Sequence, residues 1–325
     1  MGFELLYLAD LDEQKWEELL FNSPNSTFYH KSAWAKLWFF SFVYFTPLFL
    51  VYSGENGEYK AGFPFILSDK YRLKRAYSMP FGTYGGMILF KEFSSEEAEE
   101  LYRKIDEELR KLKLASVEVI DFFGQQKNLN QYGYNAVKVY THLLDLSKYM
   151  DNPVHKTKRG AIQAEKKGVK VEPLSSVEKI KDCYSLVLER DKRHGLKRSK
   201  LPLGLYENIW NILKSGEELR WSVATVDEQI IAFQINFLYK NTIYYWEGAS
   251  LSEALNLRPN DALFSDTIQW GISQGYRYFN LGGSPEKAEG LVRFKEAWGG
   301  ERKEYLIYSR RKFWYKAAEK LKRLL

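Results

Sequence analysis

Apolar residues recur along this chain in two registers, and together they lay out one plan twice. Leu48–Tyr52 is an unbroken apolar run that predicts a buried strand. Gly54, Asn56 and Gly57 turn it into a second strand over Tyr59–Leu67. The stretch Pro80-Phe81-Gly82-Thr83-Tyr84-Gly85-Gly86 reads as a loop. A helix follows from about Ser95 to Leu112, opened by Ser94-Ser95-Glu96-Glu97, an N-cap residue with acids in the first turn. A strand over Ser116–Phe122 then ends at Gly124. The second half repeats the order: strand Arg220–Val226, a turn at Asp227-Glu228, strand Ile230–Leu238, a turn at Lys240-Asn241, and strand Thr242–Glu247 before Gly248. A helix from about Asp261 to Ser273 follows Pro259-Asn260, with Leu263, Phe264, Ile268 and Ile272 at helical spacing. Strand Arg277–Leu281 then opens into Gly282-Gly283. Gly86 matches Gly248 at an offset of 162, and Gly124 matches Gly282 at 158, which points to an internal duplication.

Each half is thus an antiparallel meander followed by strand–helix–strand. A linker is expected near Ser147–Pro153, dividing the chain into residues 1–148 and 149–305. Residues 306–325 are expected to return as a C-terminal helix that completes the first domain. From Arg310 that helix is basic and amphipathic, with Trp314, Ala317, Ala318, Leu321 and Leu325 on one stripe. The stripe either docks on the protein's own core or lies on an anionic membrane.

Composition narrows the class. The 325 residues are 45% apolar and 28% charged, which suits a globular protein of two domains. Aromatic content of 16% fits either an aromatic core or a long substrate groove. The single Cys183 rules out an internal disulfide framework; it shares a helical face with Ile180 and Val187 and reads as core. Residues 1–12 carry acids and no basic leader, and the apolar run Leu37–Tyr52 is short for a span and broken by Pro47. A cytoplasmic protein is therefore expected, contacting the inner face of the membrane if the C-terminal stripe lies on lipid. Net charge is +6, and residues 151–200 carry 14 basic against 7 acidic residues, the whole of the excess. That zone is either a solvated face or a site for a phosphate-bearing ligand.

Several chemistries lack their signatures. His30, His142, His155 and His194 lie in no metal-ligand spacing, so no metal is expected. No nucleophile elbow, P-loop or dinucleotide fingerprint occurs. What remains is chemistry done by positioning and electrostatics, such as attack of an amine on an activated acyl carbonyl. Gly275–Gly283 predicts a strand opening into a Gly-Gly loop, where open α/β sheets place ligands. Lys295, between Phe294 and Trp298-Gly299-Gly300, would present a cation close by.

A series of motifs, in order over nearly the whole chain, resembles the Fem family of non-ribosomal aminoacyltransferases, within the wider GNAT-like acyltransferases. They are Trp16, Ser23-Pro24, Phe28 and Trp34-Ala35-Lys36; Tyr84-Gly85-Gly86; Lys156-Thr157-Lys158-Arg159 with Ala164–Val169; Arg193-His194-Gly195; Tyr244-Tyr245-Trp246 with Gly248; and Gly282-Gly283 with Phe294-Lys295. The resemblance implies an α/β fold of two tandem GNAT-like domains, each a mixed, mostly antiparallel sheet with flanking helices. It implies that Lys295 stabilises the oxyanion, that Lys36 and Arg198 hold substrate phosphate, and that Tyr245 and Phe294 line the acceptor groove. Asp121 would take the amine proton, although transfer assisted by the substrate serves as well, and a turn-capping role is equally open to it. The long coiled-coil arm of some Fem enzymes has no counterpart, and Ser250–Asp261 replaces the acetyl-CoA pyrophosphate loop without its glycines. The donor implied is an aminoacyl-tRNA, with acyl-CoA the alternative and no tightly bound cofactor. The acceptor would be an amine on a phosphate-bearing cell-envelope precursor such as a peptidoglycan precursor peptide; DNA is not expected as a partner. A third reading is a non-catalytic polyanion-binding protein of the same fold.

Overall fold

Strands form where the apolar runs and alternations lie, and turn residues set their ends. The computed structural model describes residues 2–70, 73–90, 93, 95–124, 129–151, 155–214, 216–284 and 288–315. In chain order the strands are β1 (Gly2–Tyr7), β2 (Phe45–Ser53), β3 (Tyr59–Lys70), β4 (Leu73–Tyr77), β5 (Ile88–Leu89), β6 (Ser116–Asp121), β7 (Asn135–Asp145), β8 (Lys170–Pro173), β9 (Leu219–Val226), β10 (Gln229–Tyr239), β11 (Thr242–Ser250), β12 (Tyr278–Gly283) and β13 (Glu301–Arg311). The helices are α1 (Glu13–Asn22), α2 (Ser32–Ser41), α3 (Ser95–Lys111), α4 (Leu146–Asp151), α5 (His155–Lys166), α6 (Ile180–Arg193), α7 (Leu203–Leu213), α8 (Pro259–Ser273) and α9 (Glu289–Ala297). The architecture is mixed α/β, as the patterning predicts.

The chain divides into two compact units, residues 1–139 with 304–325, and residues 140–303. In unit 1 the strand order is β1-β2-β3-β4-β6-β13, antiparallel except for the parallel pair β4–β6. In unit 2 the order β8-β9-β10-β11-β12-β7 repeats the same senses, with β11–β12 the parallel pair. The duplication seen in the glycine offsets is therefore present in the topology. Gly124 and Gly282, which follow or end the equivalent strands β6 and β12, both have positive φ, 69° and 76°.

Three expectations need correction. Residues 306–311 are strand, not helix: Leu306 to Arg311 pair antiparallel with Asp121 to Ser116 of β6. The segment Tyr305-Leu306-Ile307-Tyr308 has β-forming side chains, with Tyr305 and Tyr308 buried, and pairing overrides the helical stripe read backward from Trp314. Most of that stripe, residues 316–325, lies outside the described residues. The linker expected near Ser147–Pro153 begins instead as α4, whose Leu146 is buried and whose first N–H donates to the Arg277 carbonyl at 2.8 Å. The boundary between units falls between residues 139 and 140 rather than at 148, because β7 pairs with β12 through Thr141–Asp145.

Both faces of the unit 1 sheet are covered. Along β2, Leu48 and Leu50 pack with Phe63, Leu101, Ile105 and Val119 under α3, while Phe49 and Val51 pack with Trp16, Leu19 and Leu20 of α1. That alternation within one apolar run is what a doubly covered strand produces. In unit 2, Ile243, Phe264, Ile268, Phe279, Leu281 and Trp298 form one core between α8, α9 and the sheet. Cys183 is fully buried on α6, beside Ile180 and Val187, as expected. Burial pushes its thiol up to about 12, so it is an inert core residue. No described helix is long and apolar enough to cross a membrane.

Candidate active site

The centre of unit 2 is the place where two parallel strands part. β11 and β12 share only three register pairs, Thr242–Tyr278, Ile243–Phe279 and Tyr244–Asn280. Past that point β11 changes register against β10: Asn236 pairs with Tyr245 but Ile235 pairs with Glu247, so Trp246 is an extra, bulged residue. The bulge turns β11 away, and the carboxyl ends of the two strands open beside Gly282, the position at which such sheets hold ligands.

Lys295 reaches this opening from α9. Its side chain is only 2% exposed, and its Nζ donates to the Gly282 carbonyl at 2.9 Å and the Gly283 carbonyl at 2.8 Å. Gly282 favours glycine through its backbone: φ is 76°, a left-handed conformation that strains other residues, although a Cβ there would meet the Tyr245 carbonyl at 3.6 Å and Lys295 Nζ at 4.0 Å, which are ordinary contacts. The Trp298-Gly299-Gly300 frame is explained by how α9 ends. Gly299 takes φ 84°, the Trp298 and Gly300 N–H groups both bond the Lys295 carbonyl, and a Cβ on Gly300 would lie 2.9 Å from that oxygen and 3.1 Å from His142 Cβ. Burial lowers the Lys295 ammonium from 10.5 to about 8. It is still mostly charged at neutral pH, and two carbonyl acceptors leave one of its three hydrogens for a ligand.

Aromatic packing fixes the surroundings. Phe264 on α8 meets Tyr245 at 5.6 Å, Phe294 at 5.0 Å and Trp298 at 5.8 Å between ring centres. Asn280 Oδ1 accepts from Thr141 Oγ1 at 2.6 Å and from the Gly282 N–H at 3.0 Å, holding the Gly-Gly turn. His142, wholly buried, stands 3.9 Å from Glu296 through Nε2, and burial followed by the charge of Lys295 lowers its pKa, keeping it neutral.

The structure thus brings Lys295, Phe294 and Tyr245 together in unit 2. Arg198 is also in unit 2, exposed in the connection between α6 and α7. Asp121 and Lys36 belong to unit 1. Asp121, 3% exposed, ends β6, pairs in register with Leu306 and bridges to Gly85. Lys36 on α2 forms an ion pair with Glu13 at 2.6 Å. Burial alone would raise the Glu13 carboxyl, but its bonds to Lys36 and Ser32 outweigh this and lower it. The pairing gives Lys36 a carboxylate partner inside its own unit, which the sequence could not reveal.

Sequence reasoning also missed the polar network at the β11 bulge. Arg190 on α6 bonds Glu247, the Gly248 carbonyl at 3.0 Å and Asp191 at 2.9 Å, and Glu247 further accepts from the Gly248 N–H at 3.0 Å and Tyr206 at 3.3 Å. Arg190 and Glu247 are 57 residues apart in the chain, with no local pattern to join them. Among the described residues no cluster of His, Cys, Asp and Glu could hold a metal ion.

Residues 154–296 match the family model of the acetyltransferase (GNAT) domain. No curated protein matches the chain by sequence. Solved structures share its fold. FemX superimposes with a TM-score of 0.72 at 14% identity, covering 93% of this chain and 96% of that one. The C-terminal domain of a putative lysylphosphatidylglycerol synthetase from Agrobacterium fabrum gives 0.62 at 15% identity, covering 94% of each. A tandem GNAT protein from the clavulanic acid biosynthesis pathway gives 0.60 at 12% identity, covering 95% of this chain and 98% of that one.

Proposed function

With the chain carrying the Fem-like GNAT fold and a GNAT domain at residues 154–296, we propose that it is an acyltransferase that moves an activated aminoacyl group onto an amine. The observation that carries this reading is the buried Lys295 ammonium, held by two backbone carbonyls where β11 and β12 part. The amine nitrogen bonds to the acyl carbonyl carbon, and the oxygen becomes an oxyanion that the remaining N–H of Lys295 stabilises. The ester C–O bond then breaks and the proton lost by the amine is delivered to the departing alkoxide. Asp121 is one candidate for carrying that proton; the substrate itself is the other. Neutral His142 adds no second positive charge next to Lys295. Tyr245 and Phe294 line the acceptor side.

The proposed donor is an aminoacyl-tRNA. A CoA pyrophosphate needs free backbone N–H groups in the connection after β11. Here the Ser252 N–H is already given to the Glu189 carboxylate at 2.9 Å, and the Ser252 hydroxyl is held by both Glu189, at 2.5 Å, and Arg193, so this N–H is not free for a phosphate. Acyl-CoA remains the second reading, supported by the tandem GNAT relative in fold. The two donors separate in one assay. With charged tRNA, product is expected to form and to vanish after RNase treatment; thiol release from acyl-CoA with no tRNA requirement would favour the second reading. Binding without turnover of either donor would leave only a polyanion-binding role.

The proposed acceptor is an amine on a phosphate-bearing envelope precursor, with Lys36 and Arg198 as its cations. Arg198, exposed, is expected to contribute more than Lys36, which already pairs with Glu13. Arg198→Ala is expected to weaken binding of such a precursor about threefold to fivefold at low salt and hardly at all at high salt. Equal binding at low salt would remove Arg198 from the acceptor site.

A further inference from the structure

One end of the unit 1 sheet carries exposed aromatic rings and amines side by side. At that end β2 begins, β3 ends, β4 and β6 begin and β13 ends, as the pairs Phe45–Ser68, Lys70–Leu73, Arg75–Ser116 and Arg311–Ser116 require. The turn from α2 into β2 is tied to the end of β3 by the Asp69 N–H, which donates to the Tyr44 carbonyl at 3.0 Å. This leaves Phe39, Phe40 and Val43 in solvent, Phe40 with 62% exposure. On the far side the Lys312 N–H donates to the Ala115 carbonyl at 2.9 Å, and Phe313 and Trp314 follow it, Phe313 with 87% exposure. At the strand ends between the two groups of rings stand the exposed Lys74, Lys113 and Lys312, with Lys70 half-buried beside them. Lys70 sits over the Tyr44 ring at 4.8 Å, and Lys312 Nζ lies 3.5 Å from the Lys113 carbonyl. Asp69 is the acid set among them; Lys111 nearby is already paired with Glu108.

Single exposed apolar residues are ordinary, but several aromatics gathered at one sheet end are not. Rings interleaved with amines match the headgroup layer of an anionic bilayer. Aromatic side chains favour the boundary between hydrocarbon and water, and each Lys or Arg near the surface gains from anionic lipid. We propose that this end of unit 1, from Phe39–Val43 through Lys74 and Lys113 to Phe313–Trp314, docks on an anionic phospholipid surface. The contact belongs to loop and strand-end residues, not to the amphipathic stripe read from the C-terminal sequence, and it does not depend on the acyl-transfer reading.

Vesicle sedimentation of the full chain tests it. Binding to phosphatidylcholine vesicles containing phosphatidylglycerol is expected, with little binding to phosphatidylcholine alone and release by high salt. The pairs Phe39→Ser with Phe40→Ser, and Lys74→Glu with Lys113→Glu, are each expected to lower the partition about tenfold or more. All four side chains are exposed, so the melting temperature should hold and acyl transfer in solution should be unchanged. No binding to the anionic vesicles would overturn the proposal. So would binding that survives both double substitutions and disappears only when residues 316–325 are removed. Self-association abolished by the Phe substitutions, without vesicle binding, would identify a contact between copies and equally overturn it.

Discussion

Lys295→Met is expected to lower the rate of acyl transfer by on the order of 10²–10³-fold while leaving donor and acceptor binding nearly intact. The substitution keeps a long apolar stem on α9 and removes only the cation facing the parted strands. The same change is expected to stabilise the fold at neutral pH. Burial lowers the ammonium from 10.5 to about 8, a cost of about 3 kcal/mol whenever the group is charged in the native state. Loss of the bonds to the Gly282 and Gly283 carbonyls takes back part of that gain, leaving a net stabilisation of about 1–2 kcal/mol. The sign with pH follows from proton counting. Between about pH 8 and 10.5 the unfolded lysine holds a proton that the folded one has released, so wild-type stability rises there and the advantage of the Met variant shrinks. Chemical denaturation at pH 7 and pH 10 measures both limbs. A variant that is less stable at pH 7 and equally active would mean that Lys295 is a structural residue.

Asp106→Ala is expected to destabilise unit 1 by about 3 kcal/mol, the largest stability loss expected of a polar substitution here. Asp106 is 3% exposed on α3 and bonds Arg310, Arg110 at 2.6 Å and the Tyr134 hydroxyl at 3.0 Å. Arg310 also stacks over the Tyr134 ring at 4.6 Å. Removing the carboxylate leaves a largely buried guanidinium and a buried phenol without their acceptor, and frees the end of β13 from α3. Asp106→Asn keeps an acceptor and is expected to lose about half as much. Denaturant unfolding of both variants checks the order; a loss under about 1 kcal/mol for the Ala variant would show that β13 is held by pairing and core packing alone.

The physical basis of these predictions also explains which parts of the structure were legible in the sequence. Strands such as Thr242–Ser250 and helices such as Pro259–Ser273 declare themselves because apolar spacing and turn residues act over a few positions. Lys295 was findable for the same reason: the Gly-Gly turn, Phe294 and Trp298-Gly299-Gly300 lie close together in the chain and each has a local geometric cause. Features set by pairing between distant segments were not. In the sequence Asp106 looks like one more acid on a strongly charged helix, and only Arg310, 204 residues later, makes it a buried anchor. β13 reads as the approach to a basic helix until β6 supplies its hydrogen bonds. The assignment of the second half of β7, from Tyr140 to Asp145, to unit 2 depends on β12 in the same way, and the Glu13 that occupies Lys36 comes from another helix.

The pH dependence of single-turnover acyl transfer tests the central claim most directly. If the Lys295 ammonium stabilises the oxyanion, the rate should fall above pH about 8 as that ammonium loses its proton, even though the attacking amine becomes more nucleophilic over the same range. A rate that keeps climbing through pH 9 and beyond, with the protein still folded, would contradict the account.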